Sequence, residues 1–196
     1  MSHHSPGGSL NVNAPAPVRK ILDALDRLSR LDGWLGALCL VLLTSLMLAE
    51  VVLRAVSGVI PWMPHSIPVA WEWSSYLMAA TFTFGAAMTL RAGGHIRVTL
   101  LLGRASPGMK RLLEFGAALV GFIFTAFLAY AMVRFTWASI ERGQTSISSG
   151  TPLWPPQAVV SFGIVLLASQ FLARLIQAMF GLPLEDPRMR VGNVAE

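Results

Sequence analysis

Four apolar runs organise the chain. Residues 33–56, 71–90, 112–135 and 155–180 are mainly hydrophobic, and as helices rising about 1.5 Å per residue each is long enough to cross about 30 Å of hydrocarbon. A surface helix of a soluble domain would show a polar face at every turn. A single span in lipid must satisfy its own backbone hydrogen bonds, so the runs predict helices rather than strands. The expected fold class is an all-α membrane protein of four transmembrane helices, a membrane domain over residues 33–180. The first run begins beyond residue 30 and exceeds a signal-peptide core, so the N-terminal segment is expected to be retained.

The polar stretches punctuate this pattern. Residues 1–17 are rich in Ser, Gly, Asn and Pro and predict a disordered tail. Over residues 18–32, Val18, Ile21, Leu22, Leu25 and Leu28 recur at helical spacing, with Arg19, Lys20, Asp23, Asp26, Arg27 and Arg30 on the other face. That pattern predicts an amphipathic helix in the membrane interface, its leucines set in the acyl boundary or packed on a partner protein. Ser106 and Pro107 give a start signal for the third helix, and Pro155 and Pro156 give one for the fourth. Gly58, Pro61, Pro64 and Pro68 exclude a long helix between the first two spans. Trp62, Trp71 and Trp73 nearby suit an aromatic belt. Residues 137–156 carry turn chemistry in Gly143, Ser146, Ser148, Ser149 and Gly150, and residues 181–196 form a short tail.

Composition agrees: 54% of the 196 residues are hydrophobic and 13% charged, against about a quarter charged in soluble domains, and mean hydropathy is +0.60. Four spans leave only short connections, with no room for a separate catalytic domain. The single Cys39 excludes an intramolecular disulfide framework and a multi-cysteine metal site.

The net charge of +5 acquires a meaning from its placement. Arg19, Lys20, Arg27 and Arg30 precede the first span, and Arg91, Arg97, Arg104, Lys110 and Arg111 separate the second from the third. Arg174, Arg188 and Arg190 flank or follow the fourth, leaving only Arg54, Arg134 and Arg142 for the other side. Positive charge marks the cytoplasmic side, so both termini and the middle loop are expected in the cytoplasm, in contact with anionic lipid headgroups. The basic residues are split among three flanks without an aromatic stacking platform, so nucleic acid is not an expected partner.

Charged residues near lipid are the candidates for function. Glu50 and Arg54 lie four apart on one helix face in the favourable acid-before-base order. They read either as an interfacial ion pair or as the coupling carboxylate of an independent small transporter. Glu72 at the mouth of the second helix is placed to join that cluster, with Arg134 to balance it. No acid lies midway along a span, which argues against a self-contained proton-coupled transporter. A haem-binding anchor of a redox enzyme would need paired histidines at one depth, yet His65 and His95 are expected on opposite sides. No metal, haem or other cofactor site follows. No catalytic elbow, zinc-binding His-Glu-x-x-His or phosphate loop occurs, so no enzymatic activity is expected.

The run FGAAMTLRAGGHIRV at residues 84–98, which holds Arg91, Gly94, His95 and Arg97, resembles the small permease subunit of tripartite ATP-independent periplasmic (TRAP) transporters. Glu50 and Arg54 resemble that family's Glu-x-x-x-Arg ending of the first helix. Glu72 with Tyr76 resembles the start of its second helix, and Thr151, Pro152, Leu153, Trp154 and Pro155 resemble the lead into its fourth. Where the family often has paired acids before a basic residue, this chain has Trp71, Glu72 and Ser75; where an acid commonly follows the His-x-Arg-Val stretch, it has Thr99.

The resemblance implies a bacterial inner-membrane subunit in a three-part importer. A periplasmic receptor would deliver an organic acid to a large permease subunit, which carries the substrate and Na+ sites. The small subunit would brace the fixed scaffold and hold no substrate or cofactor of its own. Glu50, Arg54, Glu72, Arg91, Gly94, His95, Arg97 and Trp154 are then structural or interface residues.

Overall fold

The computed structural model describes residues 15–60, 62–91 and 107–182. These form four helices: α1 (Ala16–Ser57), α2 (Ala70–Arg91), α3 (Pro107–Glu141) and α4 (Trp154–Phe180). Three of them, α1, α3 over Gly108–Glu141 and α4, are long and apolar enough to cross a membrane. Helix α2 has 22 residues, about 33 Å at 1.5 Å per residue. Its Glu72, Ser74, Ser75, Thr81 and Thr83 dilute its apolar character, so its length suits a crossing while its composition is mixed.

Successive helices run antiparallel. α1 packs on α2, α2 on α4 and α4 on α3, while α1 also touches α4. Helix α4 is the most enclosed of the three apolar helices, with 39% of its apolar window buried against 11% for α1. The bundle has one end bearing the first residues of α1 and the last of α4, here the terminal end, and an opposite loop end.

The amphipathic segment is not a separate interfacial helix. It is the first part of α1, which runs unbroken for 42 residues, about 63 Å. No proline interrupts it after its first turn. Its apolar side packs within this chain: Leu22 joins Ala173 and Leu182, with Val18, Leu25 and Ile176 around them. Leu28 lies against the cluster of Ala80, Phe84 and Leu166. Ile21, by contrast, is exposed. The buried positions of α1 include Leu22, Ser29, Asp32 and Gly36, a heptad-like seam that follows neighbouring helices.

Side chains and glycine close the helix ends at the terminal end. Gly181 takes a left-handed conformation, φ 66°, and the Leu182 N–H donates to the Gln177 carbonyl at 2.9 Å, a Schellman-type cap in which glycine avoids a Cβ clash. Arg111 Nη2 donates to the Met179 carbonyl at 2.7 Å, and Arg174 Nη1 to the Leu90 carbonyl at 3.1 Å. Each arginine meets a carbonyl that its helix leaves unpaired and sits at the negative end of the dipole. Arg111→Met is expected to destabilise the detergent-purified chain by about 0.3–1 kcal/mol, read from thermal melts, with Arg111→Lys losing less.

Candidate functional site

At the loop end, two carboxylates fasten two irregular segments to the helices. Glu50 lies on the last turns of α1 and is buried, 4% exposed. Its Oε1 accepts from Arg54 Nη2 at 2.8 Å, the pair set up by their four-residue spacing. Its Oε2 accepts from the backbone N–H of Ile67 at 2.7 Å, so one side chain ties the proline-rich connection to α1. Next to it, Ser57 Oγ donates to the Arg54 carbonyl at 3.0 Å and lies 3.0 Å from His65 Nδ1. An open groove lined by Met47, Glu50, Val51, Arg54, Ala55 and Trp71 runs beside this knot.

Glu72 does not join that cluster. From the first turn of α2 it turns to the other connection: Oε1 accepts from Tyr76 Oη at 2.8 Å and Oε2 from Ser148 Oγ at 2.8 Å. Arg134 is exposed and is not its partner. The segment after α3 is folded to present Ser148. Gly143 and Gly150 take positive φ of 56° and 67°, Thr145 pairs with Pro152 in an isolated bridge, and the Ser146 N–H donates to the Thr151 carbonyl at 2.8 Å. Ser139 Oγ donates to Gln144 Oε1 at 2.9 Å, anchoring the start of this turn to α3.

Tryptophans surround the same end. Trp62, Trp71, Trp73, Trp137 and Trp154 are all partly or largely exposed there, which is where amphipathic rings settle at a membrane–water boundary. Trp154 opens α4, followed by Pro155 and Pro156 in its first turn. Trp137 Nε1 donates to Glu141 Oε1 at 2.7 Å. Below this girdle, α1 exposes Leu38, Val41, Val51 and Val52 and α3 exposes Val120, Phe124, Phe127 and Tyr130, an apolar exterior suited to lipid or another membrane helix.

The candidate residues thus divide. Glu50 and Arg54 are paired, Glu72 serves a different loop, and Trp154 lies in the aromatic girdle. Arg91 ends α2, but its side chain, with Gly94, His95 and Arg97, lies outside the described residues. Sequence reasoning gives Ser148 only as turn chemistry and not as the partner of Glu72, and it misses the Ile67 N–H and the place of Trp137 in the girdle. Only Trp137 left a local signal, its position at the end of an apolar run. Among the described residues no group of three or more His, Cys, Asp or Glu side chains is placed to hold a metal ion.

Residues 43–181 match the family described as tripartite ATP-independent periplasmic transporters, DctQ component. The chain belongs to this family. The match runs from the last third of α1 to the glycine that caps α4, so it takes in the whole loop end, both pinned connections and the aromatic girdle. No curated protein and no solved structure gives a significant match. DctQ proteins are components of transporters rather than a family of enzymes, and the long apolar helices make this one a multi-pass membrane protein.

Proposed function

We propose that this chain is the small membrane subunit that braces a large permease subunit in receptor-dependent, Na+-coupled uptake of an organic acid. The observation that carries this reading is the family match across the bundle, in a structure where two loop-end carboxylates, Glu50 and Glu72, are engaged in fastening loops. Glu50 has its two oxygens bonded to Arg54 and Ile67, and Glu72 has its two bonded to Tyr76 and Ser148. Carboxylates so committed stiffen a scaffold. The exposed faces of α1 and α3 supply apolar surface for the larger subunit and for lipid.

All four helices cross the inner membrane in this reading, with α2 shielded on two sides by α1 and α4. Both termini face the cytoplasm in it, because twelve of the fifteen basic residues lie, along the sequence, before the first apolar run, between the second and third, or near and after the end of the fourth. The loop end then faces the periplasm and presents the two pinned connections to the receptor. Na+ and substrate bind the large subunit, and this chain requires no cofactor.

Purification in mild detergent is expected to retain a much larger hydrophobic subunit, and reconstituted uptake to require that subunit and a soluble receptor together. Na+-driven uptake by this chain alone in liposomes would overturn the proposal.

A further inference from the structure

A groove opens between α3 and α4 at the terminal end of the bundle. It measures about 400 Å³ and is lined by Gly108, Arg111, Leu112, Phe115, Ala178 and Met179. Of these described residues only Arg111 is polar. Leu112 is 63% exposed and Met179 58%, so this chain leaves the apolar wall uncovered. The groove lies at the edge of the hydrocarbon: Lys110 and Arg111 immediately precede the apolar run 112–135, and the spanning part of α3 begins at Gly108.

Arg111 is fixed at the mouth of this groove. Its Nη2 donates to the Met179 carbonyl at 2.7 Å, and a Cβ on Gly181 would stand 3.6 Å from its Cζ, so the guanidinium is seated against the cap of α4. A guanidinium carries five N–H donors in a planar fork, and the Met179 carbonyl takes one of them. The rest of the fork matches the oxygens of a phosphate. Lys110 beside it is exposed, and Gly108 lies in the first turn of α3, where the helix dipole is positive. The nearest acid along α3, Glu114, is half-buried one turn further in, so it offsets part of this charge without lining the groove.

Positive charge is therefore gathered at one end of a groove whose other walls are hydrocarbon, and what fits it is amphiphilic. A free anion would answer Arg111 but leave Leu112, Phe115 and Met179 uncovered. A neutral chain would cover the apolar wall but bring Arg111 no anion. An anionic phospholipid does both, with its head held by basic residues at the membrane surface and its tail in the apolar groove. A zwitterionic lipid brings the same phosphate together with a cation of its own, which Lys110 repels.

We propose that this groove binds one anionic phospholipid, its phosphate on Arg111 with Lys110 alongside and an acyl chain along Leu112, Phe115 and Met179. The inference rests on the chain's being a membrane protein and does not depend on the transport reading.

The test uses the full chain in mild detergent, with phosphatidylglycerol or phosphatidylcholine of the same acyl chains added at equal mole fraction. Native mass spectrometry reads the lipid retained, and thermal melts read the lipid-dependent rise in melting temperature. The wild-type chain is expected to retain a first phosphatidylglycerol over phosphatidylcholine by about fivefold, the effect of one basic residue at an anionic surface. Arg111→Met is expected to lose that preference and Arg111→Lys to keep most of it. Because Arg111→Met also loses its bond to Met179, the lipid-dependent change is compared and not the starting stability. Gly108→Leu is the second variant: nothing lies within 4 Å of an added Cβ, so the chain should fold, and the new side chain should fill the groove and lower retention of both lipids. Arg134→Gln, on an exposed part of α3 towards the loop end, should leave the preference as it is. Equal retention of the two lipids by the wild type would overturn the proposal, as would a preference unchanged in Arg111→Met or lost equally in Arg134→Gln. Should Arg111→Met not fold, Gly108→Leu decides: reduced retention supports the groove and unchanged retention overturns it. A rise in melting temperature reproduced by inorganic phosphate at matching concentration would mean a free anion, and a preference that vanishes when a larger subunit is bound would mean a protein occupant; either overturns it.

Discussion

Gly163→Val is expected to force α2 away from α4 and to lower the stability of the bundle by about 1–3 kcal/mol, the usual cost of overpacking a tight contact. Gly163 is buried on α4, and a Cβ there would stand 2.9 Å from Thr83 Cβ and 3.5 Å from Phe84 Cδ1. The nearest atoms belong to the root of Thr83 rather than to a flexible tip, and the threonine hydroxyl is itself bonded to the Ala80 carbonyl at 3.0 Å. Relief therefore requires the helices to move. Thermal melts of Gly163→Ala, Gly163→Val and their combinations with Thr83→Ala provide the check. Thr83→Ala removes the hydroxyl but keeps the Cβ, so partial rescue is expected. Gly116→Ala is the contrasting case: nothing lies within 4 Å of its added Cβ, and the gain in helix propensity of about 0.5–1 kcal/mol should appear without opposition. Equal effects at the two glycines would show that α2 and α4 do not approach as described.

What the sequence discloses depends on how local the cause is. Helices α3 and α4 were legible because apolar length and proline-marked starts are properties of consecutive residues. The Glu50–Arg54 pair was legible for the same reason, since four residues of one helix decide it. The partner of Glu72 was not: Ser148 is 76 positions away and reaches it only after two positive-φ glycines fold the connection back. The first half of α1 shows a subtler failure. Its apolar positions fit a helix lying on a surface, where Ile21 belongs on one face with Leu22 and Leu25. Once the helix continues into the bundle, the buried stripe follows α4 and α2 instead, leaving Ile21 outside and carrying Ser29 and Asp32 inward. Helix α2 is the converse case. The serines and threonines that dilute its apolar character bond back to its own carbonyls, as Thr81 does to Leu77 at 2.8 Å and Thr89 to Gly85 at 2.7 Å, which satisfies hydroxyls in an apolar setting.

Replacement of Glu50 separates a fastening carboxylate from a coupling one. Glu50→Gln keeps an oxygen able to accept from the Ile67 N–H but loses the charge that holds Arg54, and Glu50→Leu loses both. The scaffold reading therefore predicts a graded series in the assembled transporter, with Glu50→Gln giving a lower melting temperature and a modestly reduced yield of complex, and Glu50→Leu a larger loss of both. Uptake per assembled complex should stay near wild type in Glu50→Gln, because the proposed coupling sites lie in the larger subunit. Arg54→Met should resemble Glu50→Gln in stability, and the double variant Glu50→Gln with Arg54→Met should cost less than the sum of the two, as expected for side chains in direct contact. The loop beneath gives an independent readout, since the Ile67 N–H loses its acceptor only in Glu50→Leu, so faster hydrogen exchange across residues 62–69 should appear in that variant and not in Glu50→Gln. A Glu50→Gln complex that assembles in normal yield yet takes up no solute would place Glu50 in the transport cycle itself.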